Sequence, residues 1–477
     1  MIAEINDELV YANGVDATTG GYLLDPMTAA QVASVARGER ADGERVGALT
    51  KVKDALKSDH LGLPFDVDPL NISQAGWAIV FQKDEDAAVK AAIQPLIAHR
   101  SAQVADETRL KALEYRPGES RQRWLARHGV AAGNIDPTRV PYYLLIVGSP
   151  SKIPFGFCRE LAVEYAVGLL AFDTPADYAA YAADVLAGEK DDVAPRSRRV
   201  TFFAPRHDFD AATQLSADRL VKPLAEGKLS GRVRCEFEAI WGEQAKREAL
   251  AEVVTRSDAN APGLLFTASH GMGFPPGHAD QRSQQGALLC QDWAGPKAGA
   301  IERGQYFAAA DVPDIANVAG LAVFAFACFG GGTPERDRFS HKPGTPPPAL
   351  AEAPFAAALP QKLLAHPRGA ALGCIAHVDR AWNHSIVQAG AGPQLIPFEN
   401  AIGRMLAGQP LGLALKDFNE RFAALSVALA GMIEQIEDDG ATIPDTQLST
   451  AWMQRNDAEG YALFGDPAAR LRLDKAG

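Results

Sequence analysis

Two short apolar runs in this 477-residue chain end in residue types that can do nucleophilic chemistry. Gly263-Leu264-Leu265-Phe266-Thr267-Ala268 leads into Ser269-His270-Gly271, and Leu321–Ala327 leads into Cys328-Phe329-Gly330. Each run is nearly continuous in hydrophobic residues and bounded by glycine, as expected of a strand buried on both faces of a parallel sheet. Ligands of open α/β sheets bind at the carboxyl ends of the strands, so the pattern predicts an imidazole and a thiol side by side in that crevice. A thiolate is the nucleophile, and a neighbouring histidine accepts the thiol proton and later hands it to a leaving amine. The glycines beyond each residue allow a substrate backbone to come close and leave backbone N–H groups to face an oxyanion. On this reading Cys328 attacks, His270 is the acid/base, and the amides of Gly271 and Cys328 form the oxyanion hole.

Either residue alone has a plainer explanation. Free cysteine is among the most buried residue types, and a cysteine on an apolar strand is ordinarily core. The weight lies in the conjunction: both residues end apolar strands and both enter glycine-rich turns, in the order His then Cys. Other chemistries find less support. His377, Asp379 and His384 follow no familiar ligand spacing, and Glu335, Asp337 and Asp280 do not form an EF-hand, so no metal is expected. There is no GxSxG elbow, no P-loop and no GxGxxG after a strand, and no cofactor is expected.

The elements that must position the pair alternate strand and helix. Strands are expected over 142–148, 199–204, 235–241, 263–268, 321–328 and 369–378, with a closing strand-like tail at 461–467. Helices are expected near 86–104 (kinked or split by Pro95), 178–187, 211–225, 243–256, 354–365 and 412–435. This alternation predicts an α/β fold with a mostly parallel sheet and helices on both faces. The charged stretch 188–199 marks a boundary between an N-terminal region, 1–190, and a catalytic region, 191–477. The segment 330–354, rich in Gly and Pro, is expected to be a surface loop that acts as a lid or processing site, with Arg336, Arg338 and Lys342 close to the nucleophile.

Composition narrows the partners. Lys plus Arg number 47 and Asp plus Glu 59, a formal charge of −12, with no basic run; nucleic acid and anionic membrane are disfavoured. No apolar segment reaches the length of a membrane span, and the first residues lack the pattern of a signal peptide. The five cysteines are odd in number and form no CxxC pair, which suits a reducing cytoplasm rather than a disulfide framework.

Ser269-His270-Gly271 and Phe326-Ala327-Cys328-Phe329-Gly330 resemble the paired motifs of the caspase-like (clan CD) cysteine peptidases. The separation of 58 residues (328 − 270) is close to the roughly 50 of caspases, but Phe326 and Phe329 depart from the caspase signature. The gingipain-like branch is similar over more of the chain, about residues 140–473. Tyr143–Gly148, Ile153-Pro154 and Tyr165–Gly168 resemble its first subdomain, although Leu169 stands where an Arg is usual. Gly373–Trp382 resembles its strand beyond the nucleophile, and Phe464-Gly465-Asp466-Pro467 its C-terminal end. The resemblance implies two caspase-like sheet subdomains side by side, a protein or peptide substrate, and control by self-processing, a protein activator or a co-encoded target. It also implies an acidic P1 pocket. By position Glu160, with Glu164 one turn on, would receive a P1 Arg or Lys, Trp382 would form the pocket wall, and Asp379 lies in the same loop. If Arg380 lined the pocket instead, an acidic P1 residue would be preferred. A catalytically silent scaffold, or another cysteine hydrolase on the same sheet, is the remaining alternative.

Overall fold

A computed structural model of the protein describes residues 9–38, 63–190, 192–227, 229, 234–339, 346–383, 386–388, 392–438 and 440–474. The chain enters through β1 (Gly14–Asp16) and α1 (Ala29–Gly38), then lays down β2 (Trp77–Gln82), α2 (Ala87–Val104), β3 (Leu110–Tyr115), β4 (Tyr143–Val147), α3 (Phe155–Ala162), β5 (Ala166–Leu170) and α4 (Pro175–Gly188). Beyond residue 190 come β6 (Arg199–Ala204), α5 (Ala211–Leu215), β7 (Glu236–Trp241), α6 (Arg247–Thr255), β8 (Leu264–Ala268) and β9 (Gly271–Gly273). The remainder comprises β10 (Leu288–Leu289), β11 (Tyr306–Phe307), β12 (Ala322–Phe326), α7 (Ala358–Leu364), β13 (Gly373–His377), α8 (Ile396–Leu406), α9 (Lys416–Asp438), α10 (Asp445–Gly460) and β14 (Tyr461–Phe464).

Ten of these strands form one sheet in the order β3-β2-β4-β5-β14-β13-β12-β8-β6-β7. Every neighbouring pair is parallel except β13 with β14. The fold class is therefore the expected one: a mostly parallel α/β sheet in which two strand blocks lie side by side. Alternate residues of β12 feed two separate cores. Val323 and Ala325 enter one; Ala322, Phe324 and Phe326 enter the other. A strand covered on both faces has no reason to alternate polar residues, which explains its continuous apolar run. The tail strand β14 joins the blocks, pairing Phe464 with Leu169 of β5 on one side and with Cys374 of β13 on the other.

Several elements differ from expectation. Helix α2 runs through Pro95 as a single helix. Pro95 is exposed while Ile93, Leu96, Arg100 and Val104 are buried, so the carbonyl it leaves unpaired faces water and the packed face holds the helix together. The long helix near 412–435 is two pieces, Leu411–Ala414 and α9, because the first turn docks on the tail through Leu411 N–H to Ala469 O and Gly412 N–H to Pro467 O, both 2.9 Å. Residues 9–38 pack with the second block: α1 shares a core with α9 and α10, and β1 is the edge of a four-stranded sheet, β11-β10-β9-β1. Strands β2 and β3, absent from the sequence reading, complete the first block.

Asp466, just past β14, ties the blocks together. It is fully buried and accepts from Arg100 Nε (2.6 Å), Trp77 Nε1 (3.0 Å) and the Ala468 amide (3.1 Å), while its own N–H donates to the Tyr181 hydroxyl (2.7 Å). Arg100 also forks onto Glu189. Removing one member of such a pair leaves a buried charge uncompensated, so Asp466→Ala is expected to cost about 3–5 kcal/mol of unfolding free energy, measured by denaturant titration. Burial opposes the charge on Glu189, but hydrogen bonds from Arg100, His99 and Gln103 outweigh it and hold the carboxyl at about 2. Because the folded-state value lies below the unfolded one, this contribution is complete above roughly pH 5 and is lost as pH falls toward 2. Glu189→Gln should flatten the decline in stability between about pH 5 and 2.

Candidate active site

Strands β8 and β12 pair in parallel, with Ala268 opposite Phe326, and the Ser269 amide donates to the Phe326 carbonyl at 3.1 Å. Two residues on, both strands have ended and His270 and Cys328 stand at neighbouring positions. A Cβ on Gly271 would fall 1.8 Å from the Cys328 carbonyl oxygen, so only glycine allows the two strand ends to approach this closely. Beyond Cys328 the chain turns through Phe329 at φ 58°, held by its N–H on the Asp379 carbonyl at 2.8 Å; Asp379 itself sits at φ 93°. Left-handed non-glycine residues cost of order 1–3 kcal/mol each and persist only where the surroundings over-determine them.

His270 is fully buried between the rings of Tyr22 and Trp293 (centroids 6.0 and 5.5 Å). Its Nε2 lies 2.9 Å from Asp210 Oδ2. A carboxylate there fixes the tautomer with the proton on Nε2 and leaves Nδ1 with a free lone pair. Nδ1 is buried and has no hydrogen-bond partner. Asp210 also accepts from the Tyr22 hydroxyl and the Thr213 amide, each at 2.9 Å. Burial opposes its charge, but His270 and Thr213 hold its carboxyl below the usual range. The sequence reading did not identify Asp210. The one available signal was its place in the loop after β6, the strand adjoining β8.

Cys328 is fully buried, and burial pushes its thiol up to about 12. Its Sγ accepts from the Ala381 amide at 3.2 Å, and its own N–H donates to the Asn13 carbonyl at 3.3 Å. Among the described residues no hydrogen bond links Sγ to His270. The space about the pair is closed by residues 11–23, which no sequence motif had connected with it.

The expected P1 pocket does not assemble as read. Glu164 is buried, but it pairs with Arg121 at 2.5 Å and accepts from the Gly133 amide at 2.7 Å, all within the first strand block. Glu160 is half-buried on α3 and acts electrostatically on Tyr115. The α3 residue that turns toward the loop after Cys328 is Arg159, which joins Arg338, Arg455 and Glu459. Arg380 pairs with Asp337 beside them, and burial raises the Asp379 carboxyl. The cavity among these groups is only about 20 Å³, roughly the room for one water. Trp382 does lie at the cleft: it is paired antiparallel with Ala12 and backed by Phe339 and Trp452. The base of the 330–354 loop is an antiparallel pair, Gly332–Thr333 with Phe355–Ala356. Lys342 and His384 lie outside the described residues. No group of metal-ligating side chains occurs among the described residues, and no described helix is long and apolar enough to cross a membrane.

Of the five cysteines only Cys235 is part-exposed. Brief iodoacetamide treatment of the folded protein should therefore label Cys235 well ahead of Cys328, read by peptide mass spectrometry.

No known family profile and no curated protein matches the sequence. Among solved structures the chain is similar to the Arg-specific cysteine proteinase gingipain R, at 12% identity and a TM-score of 0.45, over 86% of this chain and 80% of that one. It is also similar to a structure described only as a protease, at 12% identity and 0.48, over 85% and 80%. A third is the complex of pro- and mature domains of that gingipain from Porphyromonas gingivalis, at 10% and 0.43, over 84% and 81%. At such identity no residue's role carries across.

Proposed function

We propose that the chain is a cysteine endopeptidase that hydrolyses protein or peptide substrates, with Cys328 as nucleophile and His270 as acid/base. The observation that carries this reading is an imidazole level in register with the Cys328 strand end, its Nε2 anchored on a buried carboxylate and its Nδ1 without a hydrogen-bond partner. With substrate in the cleft, Cys328 gives its proton to Nδ1 and Sγ attacks the scissile carbonyl. The oxyanion is held by the Cys328 and Gly271 amides. The imidazolium then protonates the leaving amine as the C–N bond breaks, and water hydrolyses the thioester. Asp210 compensates the imidazolium charge while it exists.

The covering of the pair by residues 11–23, with the Asn13 carbonyl on the Cys328 amide and the thiol fully buried, supports a closed resting arrangement that must open before reaction. Self-processing or an activator protein would each supply that step. The cytoplasmic location belongs to the same proposal and is supported by five free cysteines, four of them buried. Basic P1 specificity has no comparable support, since Glu164 is committed to Arg121.

Cleavage of a fluorogenic peptide library tests the reading. Cys328→Ala and His270→Ala should each lower kcat/KM by roughly 10⁴-fold or more, and Asp210→Asn by about 10²–10⁴-fold. Cleavage that survives Cys328→Ala would sink it.

A further inference from the structure

The segment that closes the site lies across it as a peptide substrate would. Ala12 pairs antiparallel with Trp382, and the Asn13 N–H donates to the Ala381 carbonyl at 3.1 Å. The Asn13 carbonyl accepts from the Cys328 amide at 3.3 Å, the donor assigned above to the oxyanion. The chain then continues parallel to β9, Gly14 opposite Gly271 and Asp16 opposite Gly273. Gly14 passes directly over the nucleophile: a Cβ there would come 3.1 Å from Cys328 Sγ. In peptidase terms Ala12, Asn13 and Gly14 stand at P2, P1 and P1′.

The side chain in the P1 place has a pocket built for it. Asn13 is fully buried, and its carboxamide pairs reciprocally with that of Asn383: Asn13 Nδ2 donates to Asn383 Oδ1 at 2.6 Å, and Asn383 Nδ2 donates back to Asn13 Oδ1 at 2.9 Å. Asn13 Nδ2 also reaches Ser216 Oγ at 3.3 Å. Asn383 is itself fixed by donating to the Ala212 carbonyl at 2.7 Å, and Ser216 Oγ donates to its Oδ1 at 3.3 Å. Every hydrogen-bond partner of the Asn13 side chain is neutral. A guanidinium or carboxylate entering this pocket would be buried without a counter-charge, and an aliphatic side chain would leave Asn383 unpaired.

We infer that Asn383, Ser216 and the Ala212 carbonyl form an S1 pocket selective for a P1 asparagine, and that residues 11–14 fill it in cis and hold the enzyme shut. The inference rests on the peptidase reading and gives it a substrate class. A site that hydrogen-bonds a substrate amide on both its atoms rejects analogues lacking it far more strongly than a site that measures size alone. The pocket is also consistent with the failure of Glu160 and Glu164 to reach the cleft.

The test compares wild type with Asn13→Ala on peptides bearing P1 Asn, Asp, Arg or Leu. Asn13→Ala empties the pocket and leaves its walls intact. The expected results are a kcat/KM for P1 Asn at least about 100-fold above the other three, and a rise of about 10-fold or more in Asn13→Ala over wild type. In the Asn13→Ala background, Asn383→Ala should abolish the preference for Asn while Cys328 still reacts with iodoacetamide at an unchanged rate. If Asn13→Ala does not fold, Ala12→Arg, which sets a charge against Trp382 and leaves the pocket untouched, takes its place. Cys328-dependent cleavage that favours Arg, Asp or Leu overturns this inference and leaves the peptidase reading standing. Absence of cleavage by the opened variants, with Cys328 accessible to iodoacetamide, overturns both.

Discussion

The register between β8 and β12 is the constraint on which the rest of the site depends. Five parallel pairs, from Leu264 with Ala322 to Ala268 with Phe326, set the two strand ends level. A shift of one residue would turn alternate side chains to the wrong core, so the register is held by burial along the whole strand. The stacked rings of Phe266 and Phe324 (centroids 4.9 Å apart) lock it from one face. The thiol and imidazole inherit their proximity from this packing, and no local contact between them is required.

Around that fixed pair the polar groups divide into two kinds. Asp210 accepts from His270 Nε2 on one oxygen and from the Tyr22 hydroxyl on the other. The cluster of Arg159, Arg338, Arg455 and Glu459 sets three guanidiniums about one carboxylate and fastens the loop after Cys328 to α10. Burial and charge look alike for both in a sequence. The difference is that His270 keeps a nitrogen in reserve, whereas in the cluster arginines from three elements converge on a single carboxylate.

The closing segment illustrates a related economy. Asn13 carries a fully hydrogen-bonded side chain and a main-chain carbonyl on the Cys328 amide, so it satisfies polar groups that an open cleft would expose to water. Burial of the thiol pushes it up to about 12 and so favours its protonated form. The contacts that satisfy these polar groups are therefore the same ones that bury the thiol.

Sequence alone determined the parallel strands, because a strand buried on both faces must be a short, nearly continuous apolar run: β4 and β12 are wholly apolar, and β8 is broken only by Thr267. It also singled out His270 and Cys328, whose strand-end positions follow from those runs and their glycines. The first block was less legible: the apolar run of β2 (Trp77–Gln82) and the mixed one of β3 went unread, and Pro95 suggested a break that an exposed helix face tolerates. What only the tertiary structure decided were the partners that meet across great separations in the chain. Asp210 lies 60 residues from His270, and Asn13 lies 370 from Asn383. Glu160 and Glu164 looked suitable by position, yet α3 turns Arg159 toward the loop after Cys328 and Arg121 claims Glu164. Side-chain chemistry is written locally, but which charges and amides become neighbours depends on how helices settle on a sheet, and no periodicity in the sequence records that.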